Sequence, residues 1–310
     1  METLLDQSLG NLADLFPEGS FLAQLFNLRA LIALILVGSI CGLMGSMVVG
    51  SRMAFFSDAL AHCAFAGVSI GFLLFEFFIG ENSKDDNGFW YFVTPLMIFF
   101  GAVVGLGIAQ VRHRTRLGSD TVIGVFFAGS LGLAAALSQL VKNRRFFNLE
   151  EFLFGDPLQV RSFELVLLLA ALGLVSLFLL FFFNGLVLGS FNSSLASSRK
   201  IRQAFLQHAF IILLAIVVNL SLRLVGVLLI NALLIVPAAT AMNWSKNLKQ
   251  MFWLTLVICL FSAIGGQIAS WECSTHGYPL GTSGAIVLIT VALFIVSLFS
   301  LRDGNTQRVN

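Results

Sequence analysis

The sequence predicts an all-α integral membrane protein, a polytopic bundle of eight to nine transmembrane helices. Hydrophobic residues make up 58% of the chain and charged residues only 11%, whereas globular proteins carry about 25% charged residues. The apolar residues occur in stretches of about 20, the length of a helix that crosses a bilayer, and they lack the alternation of barrel strands. This composition excludes a soluble enzyme and a secreted disulfide scaffold. The net charge of +2 gives no reason to expect a nucleic-acid partner.

An acidic arm precedes the apolar segments. Residues 1–27 contain four acidic residues and no Lys or Arg, which is the wrong charge for a cleavable signal peptide. We therefore expect an interfacial arm over 1–27, a single transmembrane domain over 28–301 and a short cytoplasmic tail over 302–310. The predicted spans are 28–50, 55–79, 91–111, 121–141, 163–183, 204–222, 225–242, 248–270 and 283–301.

The basic residues suggest how the spans are oriented. Cytoplasmic loops of membrane proteins are enriched in Lys and Arg. With nine spans and the N-terminus outside, eleven of the eighteen basic residues fall on the inner side. The cluster Lys142, Arg144 and Arg145 would then lie outside, against the rule. A bundle of eight spans with the N-terminus inside therefore remains open.

Two polar residues interrupt the second span. Asp58 and His62 are four residues apart, so a helix places them on one face, separated by about 6 Å along its axis. Ionisable residues are costly in hydrocarbon and favour a protein interior or a wet cavity. Carboxylate and imidazole suit ions such as zinc or manganese, and two copies of the chain would supply four ligands. Alternatively, Asp58 tethers the helix near the membrane surface, with Arg52, and His62 only packs.

Two further polar groups have alternative interpretations. Glu272, Cys273 and His276 fall in a segment, "WECSTHGYPLG", that we expect to be an outer loop. They could pass a soft metal inward, or they could simply be solvated. Asn231 and Thr240 lie in the span "GVLLINALLIVPAATA". They could line a translocation path, although packing is an adequate explanation because neighbouring helices can satisfy polar groups.

Other features are interpreted as packing. Glycines four residues apart allow membrane helices to approach closely, within one chain or at a subunit interface. These pairs are Gly38 with Gly42, Gly67 with Gly71, Gly101 with Gly105, and Gly185 with Gly189. The cysteines form no CxxC pair and are expected in the core. We interpret His113 and His208 as surface or packing residues.

Signatures of ATP hydrolysis and of zinc proteolysis are absent from the chain. The 310 residues contain neither GxxxxGK[ST] nor HExxH, the motifs of a phosphate-binding loop and of a zinc protease. We therefore expect a transport protein that is not itself an enzyme. If transport uses ATP, another chain must bind it.

Five segments, in order, resemble the permease family of bacterial ATP-binding-cassette (ABC) importers for zinc, manganese or iron. They are "SDALAHCAFAGVSIGFLL", "SDTVIGVFFAGSLGLAAAL", "FLFGDPL", "VGVLLINALLIVPAATA" and "TSGAIVLI". The resemblance covers about residues 28–301. The D-x-L-x-H step and the N-A-L-L-x-x-P-A-A-T-A run are its specific motifs.

The resemblance implies a fold, partners and residue roles. It implies an importer permease in the bacterial inner membrane, paired with a second and often identical permease. Separate cytoplasmic ATPase subunits and an extracytoplasmic delivery protein complete the system, the metal ion is cargo, and no cofactor stays bound. Asp58 and His62 match the positions that hold the ion in transit. The ATPase-coupling segment corresponds to "GSFNSSLASSRKIRQ", with Phe191, Asn192 and Ala196.

Two other functions remain open from the sequence. A proton-coupled secondary metal transporter would use His62 as its titrating group, although few other buried carboxylates would support it. An intramembrane scaffold or enzyme is the third alternative. Zinc, manganese and ferrous iron all suit the ligand set.

Overall fold

The computed structural model is all-helical over the residues that it describes. These are 2–17, 19–51, 53–79, 86–115, 117–140, 154–155, 157–191, 203–278 and 280–306. The ten helices in these ranges are α1 (Glu2–Ala13), α2 (Leu25–Gly50), α3 (Phe56–Ile79), α4 (Asp86–Arg114), α5 (Ser119–Leu140), α6 (Ser162–Phe191), α7 (Gln203–Val225), α8 (Val227–Trp244), α9 (Leu248–Thr275) and α10 (Thr282–Thr306).

Nine of the helices in these ranges, α2 to α10, are long and apolar enough to cross a membrane. The predicted all-α membrane fold is therefore confirmed, and each helix overlaps one of the nine predicted spans. Several helices run further than predicted, including α4, which begins at Asp86, and α10, which continues to Thr306 and so into the predicted cytoplasmic tail. The apolar sequence after residue 183 continues α6 to Phe191, and α9 continues to Thr275.

A glycine ends α9. Gly277 has φ +85°, a conformation that glycine adopts without steric cost. The backbone N–H of Gly277 donates to Ser274 at 3.1 Å, and that of Tyr278 donates to Cys273 at 3.0 Å. This pair of bonds is a Schellman motif, which satisfies the last carbonyl groups of a helix. The helix thus ends where Gly277 supplies the positive φ that this terminal motif requires.

The helices form two compact units. The first unit comprises residues 1–49, 150–180 and 223–310, and the second comprises residues 50–149 and 181–222. The first contains α1, α2, most of α6 and α8 to α10. The second contains α3, α4, α5, the end of α6, and α7.

Small residues bring the helices of the first unit together. A Cβ atom added to Gly42 of α2 would lie 2.8 Å from the backbone of Leu256 in α9, and one added to Gly266 of α9 would lie 2.6 Å from that of Ile286 in α10. Large side chains on α6 point outward, including Leu169 and Leu180. Such exposed apolar faces suit contact with lipid.

The N-terminal helix α1 is attached to the first unit. Leu9 and Ala13 are buried. The carboxylate of Asp6 accepts a hydrogen bond from Arg29 of α2 at 2.7 Å and another from the hydroxyl of Ser162 in α6. The predicted arm therefore contains a helix that is fixed by both apolar and charged contacts.

A backbone crossing joins two of the quoted segments. Gly155 of "FLFGDPL" and Gly226 of "VGVLLINALLIVPAATA" both have positive φ, +62° and +81°. A Cβ atom on Gly226 would lie 2.5 Å from the backbone nitrogen of Gly155. No amino acid with a side chain fits such a conformation and such a gap without strain. The close backbone crossing and the positive φ therefore explain why each segment contains a glycine at this point.

In the second unit, α3 packs against α4 and α5, and α4 packs against α7. A Cβ atom on Gly71 of α3 would lie 3.1 Å from Val93 of α4, and one on Gly105 of α4 would lie 3.3 Å from Ile211 of α7. The predicted glycine pairs of α2, α3 and α4 thus serve helix packing within the chain.

Candidate metal transit site

The candidate site occupies the open face of α3. Over residues 56–66 only Asp58, His62 and Phe65 are partly exposed, and the other side chains are buried. These positions are four and three residues apart, so they form one stripe along the helix. The predicted shared face of Asp58 and His62 is therefore present in the structure.

The two donor atoms are spaced for a metal ion. Nε2 of His62 lies 3.7 Å from Oδ1 of Asp58, which is longer than a good hydrogen bond of about 2.9 Å. Two ligands that are each about 2.1 Å from a tetrahedral ion are about 3.4 Å apart. An ion between these atoms therefore needs only a small adjustment of either side chain.

The pair lies near the start of its helix. Asp58 is in the first turn of α3, and His62 follows about 6 Å further along the axis. A carboxylate in the first turn is also favoured by the helix dipole. This position agrees with the alternative in which Asp58 tethers the start of the helix. Its suggested partner, Arg52, lies outside the described residues.

Helix α5 positions the histidine. The ring of Phe127 meets the ring of His62 edge-on, with 4.7 Å between centroids. Three residues further along α5, the hydroxyl of Ser130 lies 2.9 Å from the thiol of Cys63 in a buried contact. One face of α5 thus fixes both neighbours, and Cys63 is directed into the core, as its place on the helix predicts.

Sequence analysis missed the roles of Phe127 and Ser130. Both lie in "SDTVIGVFFAGSLGLAAAL", and their spacing of three places them on one helical face. That spacing was the signal in the sequence that these two side chains share a face of α5. It could not show which helix the face contacts.

Within the described residues, Asp58 and His62 are not joined by a third acidic, histidine or cysteine ligand. In this part of the chain, no group of three or more His, Cys, Asp or Glu side chains could hold a metal ion. A zinc ion usually has four ligands. Asp58 and His62 thus offer two potential donor side chains, half the number that a zinc ion usually takes.

The group Glu272, Cys273 and His276 does not converge on a common point. Our prediction of an outer loop was wrong for Glu272 and Cys273, which belong to α9 because the helix continues to Thr275, just before Gly277. Nδ1 of His276 lies 2.8 Å from the carbonyl oxygen of Glu272, so the imidazole is turned toward the backbone. The carboxylate of Glu272 is exposed to solvent.

The two polar residues of α8 differ in their surroundings. Thr240 is fully buried, and its hydroxyl donates to the carbonyl of Val236 at 2.8 Å. Asn231 is partly buried. For the predicted coupling segment, Phe191 is the last residue of α6, and Asn192 and Ala196 lie outside the described residues.

Comparison with known proteins supports a common family. Residues 24–301 match the family described as "ABC 3 transport family". The manganese transport system membrane protein MntC of Listeria monocytogenes is 31% identical over 94% of this chain and 96% of its own length. The high-affinity zinc uptake system membrane protein ZnuB of Haemophilus influenzae is 29% identical over 87% of this chain and 95% of its own. The solved structure of PsaBC from Streptococcus pneumoniae in complex with Fab superposes with a TM-score of 0.70 at 26% identity, covering 88% of this chain and 90% of that one.

Proposed function

The chain belongs to the ABC 3 transport family, and from this membership we infer that it is the membrane-spanning permease subunit of an ABC importer for a divalent transition metal ion. Relatives named for manganese and zinc transport support this class of cargo, which also includes iron. With nine apolar helices in the described ranges, it is a multi-pass protein of the bacterial inner membrane.

We propose that Asp58 and His62 hold the ion during transit. The observation that carries this assignment is their placement, 3.7 Å apart, on the one open stripe of residues 56–66 in α3, where the other side chains are buried. Oxygen and nitrogen ligands suit zinc, manganese and ferrous iron. Because Asp58 and His62 are two donors without a third acidic, histidine or cysteine ligand beside them in the described residues, a second identical permease is proposed to supply two more about a twofold axis.

The remaining parts of the importer are proposed as separate chains. The sequence lacks a phosphate-binding loop, so ATP binding and hydrolysis are assigned to cytoplasmic ATPase subunits. These subunits would press on the segment that contains Phe191, Asn192 and Ala196, and the ion would reach the outer side on a delivery protein.

Two groups of residues receive lesser roles in this proposal. Glu272, Cys273 and His276 are proposed as successive outer contacts for the incoming ion and not as one metal site, and the exposure of Glu272 and His276 supports this role. Asn231 and Thr240 are proposed to line the pathway because they are polar groups within an apolar span, and Asn231 is only partly buried.

The test of this function is the energy source of transport. The permease is reconstituted in proteoliposomes with its ATPase and delivery proteins, and uptake of radioactive zinc or manganese is measured. We expect uptake that requires ATP and that a protonophore leaves unchanged. Uptake that proceeds without ATP and collapses with the protonophore would instead identify a proton-coupled secondary transporter.

A further inference from the structure

Two histidines outside the transit site lie close together in the second unit. His113 is in the last turn of α4, and His208 is in the second turn of α7. The centroids of their rings are 6.5 Å apart. His113 is exposed and His208 is half-buried.

The pair continues the packing between α4 and α7. Gly101 approaches Asn219, and Gly105 approaches Ile211, so rising residue numbers on α4 meet falling numbers on α7. His113 and His208 extend this antiparallel register to the next turns. The two imidazoles are therefore presented by helices whose close approach is already fixed.

The ring of His208 is oriented by its own helix. Its Nδ1 lies 2.5 Å from the carbonyl oxygen of Ala204. A carbonyl only accepts, so Nδ1 is the donor of this hydrogen bond, and in the neutral ring Nε2 then keeps its lone pair. Metal-binding histidines commonly show this arrangement, in which one ring nitrogen donates to a carbonyl and the other binds the ion.

The two arginines that flank His113 in the sequence are directed elsewhere. The guanidinium of Arg112 lies 2.9 Å from the sulfur of Met53. That of Arg114 donates at 3.0 Å to the side-chain oxygen of Gln110 when the Gln110 amide is oriented to accept. The C-terminal end of α4 also carries the negative end of its helix dipole, which favours a cation beside His113.

We propose that His113 and His208 form a binding site for a borderline divalent cation, such as Zn²⁺, with water completing its coordination. Imidazole suits zinc, nickel and copper better than manganese. Two imidazoles on one ion place their ring centroids about 5 to 6 Å apart. The exposed ring of His113 therefore needs to move inward by only about 1 Å.

The site is distinct from the transit site. Arg112 and Arg114 mark this end of the unit as cytoplasmic by the distribution of basic residues. Its ligand would thus be zinc in the cytoplasm, and this location rests on the orientation that the proposed function assumes. The binding itself does not depend on that function, because no residue of the transit site takes part.

The test counts zinc ions in the full-length chain, purified in detergent without a polyhistidine tag. The chain has only four histidines, so the contribution of each histidine to zinc binding can be measured with variants. The background variant carries Asp58→Asn and His62→Gln, which removes the transit site. Zinc per chain is then measured by equilibrium dialysis for the background alone and with His113→Gln, His208→Gln, both changes, or the control His276→Gln.

We expect the double variant to bind one zinc ion fewer per chain than the background. Each single variant should lose the same ion, because both imidazoles are needed. Zinc should also raise the thermal unfolding midpoint of the background and of the His276→Gln control more than that of the double variant, because the ion joins two helices. Equal zinc content in the background and the double variant would overturn the proposal, as would a loss that needs only one of the two histidines.

Discussion

At the scale of single residues, spacing predicted the shared face of the candidate site but not its surroundings. Asp58 and His62 are four apart, and a helix must place them together. Their 3.7 Å separation and their neighbour Phe127 depend on how α5 packs, which no local pattern encodes. For the same reason the sequence did not predict that His113 and His208 lie close together. They are 95 residues apart and were interpreted separately.

Phe127 offers a test of how the histidine is held. Replacing it with leucine removes the edge-on contact with His62, and such aromatic contacts contribute about 0.5 to 1.5 kcal/mol. If the ring orients His62 for the ion, Phe127→Leu should weaken the apparent affinity for metal in uptake assays by roughly 2- to 12-fold. The maximal rate of ATP hydrolysis should stay unchanged.

The matched control for this change is Phe126→Leu on the same helix. Phe126 faces Gly107 of α4 and not the candidate site. An equal loss of apparent affinity in both variants would show that Phe127 acts only through general packing.

At the scale of helices, the spans could be predicted because crossing a bilayer requires long apolar segments. All nine predicted segments correspond to helices in the described residues. The ends were less predictable. A positive φ at Gly277 stops α9 five residues after the predicted end, and hydropathy carries no signal for such a turn.

The crossing of Gly155 and Gly226 gives a prediction at this scale. Gly226→Ala places a methyl group 2.5 Å from the nitrogen of Gly155 at a positive φ. This conformation, with φ +81° and ψ +161°, alone costs a residue with a side chain about 1 to 3 kcal/mol, and the clash adds to it. We expect a clearly lower unfolding midpoint, measured by the thermal loss of monodisperse protein in detergent.

The control is Gly173→Ala in α6, where a Cβ atom meets nothing within 4 Å. Alanine is also favoured over glycine in helices by about 1 kcal/mol. This variant should be as stable as the parent chain or more stable. A Gly226→Ala variant that unfolds at the same temperature as the Gly173→Ala variant would contradict the crossing.

At the scale of the whole molecule, composition was sufficient to predict a membrane protein, and the motifs indicated its family. The division into two compact units was not predictable, because each unit combines segments that are distant in the sequence. The proposed transit site also belongs to this scale. If Asp58 and His62 are the only ligands from one chain, they would hold an ion weakly, as transit requires, and the proposed second copy would supply two more.

The central claim is that Asp58 and His62 carry the ion across. Asp58→Asn keeps the size of the side chain but removes its charge, and His62→Gln removes the imidazole. In proteoliposomes with the ATPase and delivery proteins, both variants should lose metal uptake almost completely while the ATPase stays assembled. Asp120→Asn is the matched control, since Asp120 is an exposed aspartate in the first turn of α5.

The decisive measurement is therefore the initial rate of ATP-driven uptake of radioactive zinc or manganese by these three variants. Our account predicts near-background rates for Asp58→Asn and His62→Gln and a rate close to that of the parent chain for Asp120→Asn. Uptake by Asp58→Asn and His62→Gln at the parent rate would contradict the transit site.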